Sequence, residues 1–189
     1  GHQARLYQVD AAYLPLITYK ADFKAVALVA KKSRYRKPAD LQGSTVLGLS
    51  PSSLVTLWGL HWLQKNNLNN VTVKYVSAAD SVSHQVLAGE ASLAFTSLAN
   101  FQKLPQEQQD ALSILAESEP MAGRVYMLNK RQASQQAKIE QALFAFAETE
   151  EGKKYLTQTR LDGYRKLRPR ELEAMEPYAA ETRQLLKSK

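Results

Sequence analysis

Between residues 45 and 95 the chain alternates short aliphatic runs with segments of helical spacing, and few folds accommodate that alternation. Residues 45–49 are an apolar run between Gly43 and Pro51, which reads as a strand. Leu54, Trp58 and Trp62 then recur four apart, so a helix is expected from Ser53 to about Lys65. Ser52 or Ser53 stands where the N-cap belongs. Residues 66–70 are turn chemistry, after which Val71, Val73 and Tyr75 alternate with polar residues as a half-buried strand does. A second helix is expected over 79–88, with Val82 and Val86 on its buried face and Gly89 as the C′ residue. An apolar run over 91–95 closes the series as a buried strand. Strand, helix, strand, helix, strand in this order predicts an α/β unit with a parallel sheet.

The flanks are less regular. Residues 23–30 read as a strand, 38–41 as a single turn, and 112–116 and 124–128 as strands separated by a Pro120–Gly123 turn. Residues 9–14 form a short apolar segment ended by Pro15, and a turn of helix is expected over 16–20. Ile139, Ala142, Leu143, Phe146 and Ala147 mark an amphipathic helix. The charged tail from Pro169 reads as helical in pieces, with a break at Pro177.

Composition narrows the chemistry. A 44% hydrophobic content supplies a packed core, and no apolar run approaches the roughly 18 residues of a membrane span. The absence of cysteine excludes disulfides, thiolate catalysis and cysteine-ligated zinc. A net charge of +7 favours anionic partners. The basic clusters at 31–37 and 160–170 lie beside turn-forming residues and read as solvated loops. No zinc-finger spacing, RNP-type motif or helix-turn-helix supports nucleic-acid binding. Nucleophile elbow, Walker loop, dinucleotide fingerprint and histidine-rich metal set are likewise missing, so the chain reads as a non-enzyme with no cofactor and no metal. His61 and His84 are lone helix residues, and Gly1-His2-Gln3 reads as a terminal scar with no signal-peptide core.

A strand that turns through serines into a helix presents backbone N–H groups and small hydroxyls, which suit an oxyanion. Ser52 and Ser53 are therefore ligand candidates as well as caps. Ser77, Asp80 and Ser81 sit at the corresponding place before the second helix, with capping as their structural role. A cleft-facing Asp80 would disfavour a bare anion and favour a ligand carrying an amine. Thr96 and Ser97 end the third strand of the series, where open α/β sheets bind ligands. Trp58 and Trp62 read as core residues, and Arg124 as solvated.

Segments 9–15, 29–33, 39–46, 50–53, 86–91, 117–123, 148–152 and 161–164 follow one another in an order that resembles the periplasmic substrate-binding proteins of phosphate, phosphite and phosphonate ABC transporters. That resemblance implies the type 2 periplasmic-binding fold. Its two lobes have mostly parallel sheets flanked by helices, and ligand is held in the cleft between them. The first lobe would take 3–24 and 125–189, and the second 25–124. It further implies periplasmic capture of a small oxyanion of the phosphate or phosphonate type, an ABC permease as partner, and Tyr13, Thr18 and Tyr19 on the ligand edge of the first lobe. The same fold serves extracytoplasmic sensors that report to a signalling partner.

Three departures stand out. Where the family has a Ser-Thr-Ser-Gly-like helix start, Ser53-Leu54-Val55-Thr56 stands here. Ala78-Ala79-Asp80 replaces a Ser-His-Asp-like run. The family's opening β-α-β-α portion has no counterpart, which predicts an incomplete first lobe, apolar surface near Tyr7, Tyr13 and Leu14, and self-association through it. The sensor role and a remnant that no longer binds ligand both remain open on the sequence.

Overall fold

A computed structural model describes residues 1–189. The elements in chain order are α1 (His2–Asp10), β1 (Leu14–Tyr19), β2 (Ala25–Ala30), a 3-10 turn at Pro38–Leu41, β3 (Thr45–Gly48), α2 (Leu54–Lys65), β4 (Thr72–Tyr75), α3 (Ala79–Leu87) and β5 (Leu93–Ser97). There follow α4 (Leu98–Gln102), α5 (Gln106–Ala111), β6 (Leu112–Glu117), β7 (Val125–Leu128), α6 (Gln136–Glu148), α7 (Glu150–Gln158), β8 (Tyr164–Lys166) and α8 (Glu176–Lys187). The chain packs as two units, one of Gly1–Phe23 with Pro120–Lys189 and the other of Lys24–Glu119.

The Lys24–Glu119 unit is a five-stranded sheet of order β4-β3-β5-β2-β6. β3 pairs in parallel with β4 and β5, while β2 runs antiparallel to both β5 and β6. The crossovers through α2 and α3 thus produce the parallel core that the alternation of 45–95 predicts. Val26, Leu28 and Ala94 from the sheet are buried with Val82 and Val86 of α3. Phe95, fully buried, sits edge-on to Trp58 and Trp62 of α2. Gly59 makes that contact close, since a Cβ there would fall 2.4–2.6 Å from the Phe95 ring. Gly89 holds φ +76 as the left-handed residue just past α3, a conformation glycine adopts without steric cost. β4 is an edge strand, so Tyr75 is exposed where alternation alone predicts burial.

In the other unit β7, β1 and β8 form a three-stranded antiparallel sheet with β1 in the centre. Residues 16–19, expected as a turn of helix, are therefore extended. Their partners lie more than a hundred positions away, and those pairings override the local reading. Leu16, Ile17 and Leu128 are buried here with Leu156 of α7, while Ile139, Leu143 and Phe144 of α6 pack against them. Pro177 does not break the tail; it sits in the first turn of α8, where its missing N–H is not needed. The Arg5–Glu176 pair at 2.7 Å and the Arg183–Asp10 pair at 3.0 Å link α1 to α8.

Two further expectations are corrected. His2 is buried on α1 and is no loose tag. Arg165 is not solvated, because it holds Glu171 through two hydrogen bonds of 2.5 and 2.9 Å, with Asp22 at 3.5 Å. Near the expected apolar surface Tyr7 is exposed and packs edge-on against the half-buried Tyr13. No helix is long and apolar enough to cross a membrane.

Candidate functional site

Parallel pairing of β3 with β4 and β5 places the carboxyl ends of those strands on one edge of the Lys24–Glu119 sheet. The amino end of β2 joins them, since Ala25 pairs with Ser97. The connection from β3 goes outward to β4, and the chain then returns past β3 to β5, so strand order reverses between β3 and β5. Open α/β sheets bind ligands outside the carboxyl ends at such a reversal. Ser52, Ser53, Ser77, Asp80, Ser81, Thr96 and Ser97 all lie along this edge.

Ser53 is the N-cap of α2. Its Oγ accepts the Thr56 N–H at 3.4 Å and lies 2.8 Å from Thr56 Oγ1. Thr56 is fully buried, and either of the two hydroxyls can donate in this contact. Gly48 permits the approach, because a Cβ there would stand 3.0 Å from the Thr56 methyl. The Ser53 amide closes a turn onto the Ser50 carbonyl at 3.0 Å. Helix geometry leaves the Leu54 and Val55 amides without an intrahelical acceptor. Ser52 is half-buried beside them.

At the end of β5 the same chemistry recurs. Ser97 Oγ caps α4 by accepting the Asn100 N–H at 3.0 Å, and Thr96 Oγ1 accepts from Asn100 Nδ2 at 3.2 Å. Both serve as acceptors there, which leaves each with a proton to donate. Ser97 and the fully buried Thr96 thus have acceptor sides occupied by their own chain segment, at the end of the strand next to the one that leads to Ser53.

The start of α3 differs. Its N-cap is Ala78, with no side-chain cap, so neither Asp80 nor Ser81 plays the capping role expected of them. Ser81 donates its proton to the Ala78 carbonyl at 2.8 Å, which removes it as a donor toward a ligand. Ser77 and Asp80 are exposed, and Asp80 brings a carboxylate to the first turn. Beside this edge Lys24 pairs with Glu117 at 2.7 Å.

Tyr13 and Tyr19 belong to the other unit, Tyr13 just before β1 and Tyr19 at its end. The Tyr13 hydroxyl accepts from Asn129 Nδ2 at 3.2 Å. Tyr13 lines an open depression of about 480 Å³ with Tyr7, Arg124 and Met127. Tyr19 is buried, and its hydroxyl lies 2.9 Å from that of Tyr126 and 3.4 Å from that of Tyr155. Tyr126 continues to Tyr164 at 3.1 Å. Burial, followed by the bond to Tyr126, raises the pKa of Tyr19; burial does the same for Tyr126, and the bond to Tyr19 for Tyr155. Sequence reasoning singled out Tyr19 alone of these four, because no local spacing connects it with the other three. No three His, Asp or Glu side chains converge as a metal site.

A family model described as the periplasmic substrate-binding protein of phosphonate ABC transporters matches residues 1–172. No curated protein matches the sequence. Among solved structures, the protein XAC2383 from Xanthomonas citri, with chloride bound, superposes with a TM-score of 0.81 at 16% identity, over 97% of this chain and 76% of its own. A binding-protein component of an ABC phosphonate transporter from Pseudomonas aeruginosa gives 0.67 at 15% identity, over 100% and 78%. PhnD1 from Prochlorococcus marinus, in complex with methylphosphonate, gives 0.74 at 10% identity, over 91% and 72%. At these identities the structures establish a shared fold.

Proposed function

Because the chain belongs to the family of periplasmic substrate-binding proteins of phosphonate ABC transporters, we propose that it captures a small oxyanion of the phosphonate or phosphate type for delivery to a membrane permease. The family is one of solute binders rather than enzymes, and it works in the periplasm. The observation that carries the ligand class is the donor set at the ends of β3 and β5. Ser53 and Ser97 cap the helices that start at those ends, Ser97 with its own proton left to donate, and the Leu54 and Val55 amides lack an intrahelical acceptor. Donors without a carboxylate among them suit the charged, acceptor-only oxygens of a phosphonate. Each such charge-assisted bond is worth roughly 1.5–3 kcal/mol. Asp80, exposed in the first turn of α3, adds a preference for a ligand that also bears an amine.

Thermal unfolding in the presence of phosphate, phosphite, methylphosphonate, aminomethylphosphonate and sulfate tests this reading. A ligand at a hundred times its Kd stabilises the folded chain by about 2.7 kcal/mol, so at least one of these anions raises the Tm by several degrees. Ser53→Asp separates the two roles of that residue. Aspartate caps a helix as well as serine, so stability holds, yet its charge repels an anion and the ligand-induced shift disappears. An unchanged Tm with all five anions at millimolar concentration, or an undiminished shift in Ser53→Asp, overturns the proposal.

A further inference from the structure

Residues 31–37 bring five cations together, Lys31, Lys32, Arg34, Arg36 and Lys37, with no acid among them. All five residues are exposed. The stretch leaves the carboxyl end of β2 and leads to the turn before β3. Ala25, at the amino end of β2, pairs with Ser97, so Ala30 at its carboxyl end lies on the border away from the serine edge. The basic loop therefore stands on the opposite side of the five-stranded sheet from Ser53, Thr96 and Ser97.

The loop is braced by its own residues. The Arg36 guanidinium donates to the Lys31 carbonyl at 3.1 Å and also to the Ser33 and Tyr35 carbonyls. Asp40 accepts the Arg36 and Lys37 amides at 2.9 and 3.1 Å, so its carboxylate is turned onto the backbone. The Lys31 amide donates to the Ala111 carbonyl at 2.9 Å. The half-buried Tyr35 accepts from the Ser92 hydroxyl at 2.7 Å, and the Arg34 guanidinium lies 4.8 Å from the centre of the Tyr35 ring. Arg36 is thus the internal clamp. Lys31, Lys32, Arg34 and Lys37 are held on a fixed backbone, and none of the four enters an ion pair.

Like charges gathered this closely repel one another, and an external anion relieves the cost. A protein partner would need an apolar or aromatic anchor at the centre of the contact. The one ring in the loop, Tyr35, is already half-buried and tied to Ser92. Charge without such an anchor suits an array of anionic groups that rearrange to meet it, as lipid headgroups do.

We propose that residues 31–37 are a contact surface for the anionic headgroups of a phospholipid bilayer. Lys31, Lys32, Arg34 and Lys37 carry the attraction, and Arg36 holds them in place. The contact is separate from ligand capture, since the serine edge occupies the opposite border of the same sheet.

The test is co-sedimentation of the full chain with vesicles of phosphatidylcholine alone and of equal parts phosphatidylcholine and phosphatidylglycerol. Binding is expected on the anionic vesicles only, and raising the salt to about 0.5 M is expected to release it. Each loop cation removed should weaken binding about fivefold, so a variant with Lys31→Ser, Lys32→Ser, Arg34→Ser and Lys37→Ser should lose several hundredfold. Arg36 is kept so that the loop retains its brace, and the denaturation midpoint verifies that the variant folds. A second variant removes the same charge from the other unit through Lys130→Ser, Lys138→Ser, Lys153→Ser and Lys154→Ser, and should bind nearly as the parent does. The loop variant should also keep any anion-induced rise in Tm, so failure here and failure of the serine edge are read separately. Equal binding to neutral and anionic vesicles, or equal loss in the two variants, overturns the proposal. So does oligoglutamate that binds the loop when anionic vesicles do not, which would assign the surface to an acidic protein.

Discussion

Arg165 and Glu171 show how one residue pair can dominate a local stretch. The two-pronged contact is reinforced by the Arg168 amide, which donates to Glu171 at 2.8 Å. The Glu171 side chain is only 11% exposed. The bond to Arg165 holds the Glu171 carboxyl below its ordinary value of 4.5. A carboxyl whose folded pKa is depressed adds stability above its unfolded pKa and loses it as pH falls through the folded one. Urea denaturation should therefore show stability declining below pH 4.5, and Glu171→Gln should flatten that decline. The same variant replaces a charged acceptor by a neutral one beside Arg165, which keeps Asp22 at 3.5 Å, and should cost roughly 1 kcal/mol at neutral pH. Residues differ in how far the sequence discloses them. A cap at Ser52 or Ser53 was legible because a cap is fixed by its own next three residues, and the structure places it at Ser53. The tyrosine row was not, since its four members come from β1, β7, α7 and β8 and meet only once the sheet exists.

Among the elements, α2 is the one most fully written into local sequence, from its serine cap to Lys65. What the spacing does not disclose is why Gly59 stands in mid-helix, where glycine costs about 1 kcal/mol against alanine. The structure supplies the reason: the helix lies so close to Phe95 that a methyl group would enter the ring. Gly59→Ala should therefore destabilise by about 1–3 kcal/mol despite its better helix propensity, as equilibrium denaturation would show. β1 is the opposite case. Leu-Ile-Thr-Tyr is good strand sequence, yet it follows a proline and carries no alternation. Its state is set by β7 and β8, whose residues lie over a hundred positions along the chain. The parallel strands β3 and β5 were readable because each is a continuous apolar run with its crossover helix adjacent in sequence.

For the whole molecule the net charge of +7 bears on how quickly an anionic ligand arrives. Screening shortens to about 8 Å at physiological ionic strength, so association should slow severalfold as salt is raised from low values while dissociation changes less. Stopped-flow mixing with whichever anion binds would measure both rates. The outermost strand of the five has its own bearing on life in a dense compartment. β4 is four residues long and exposes Lys74 and Tyr75 along a border with no further strand. A second copy approaching in register would have to bring one ammonium against another and leave water to do it, so crowding favours separate molecules over stacked fibrils.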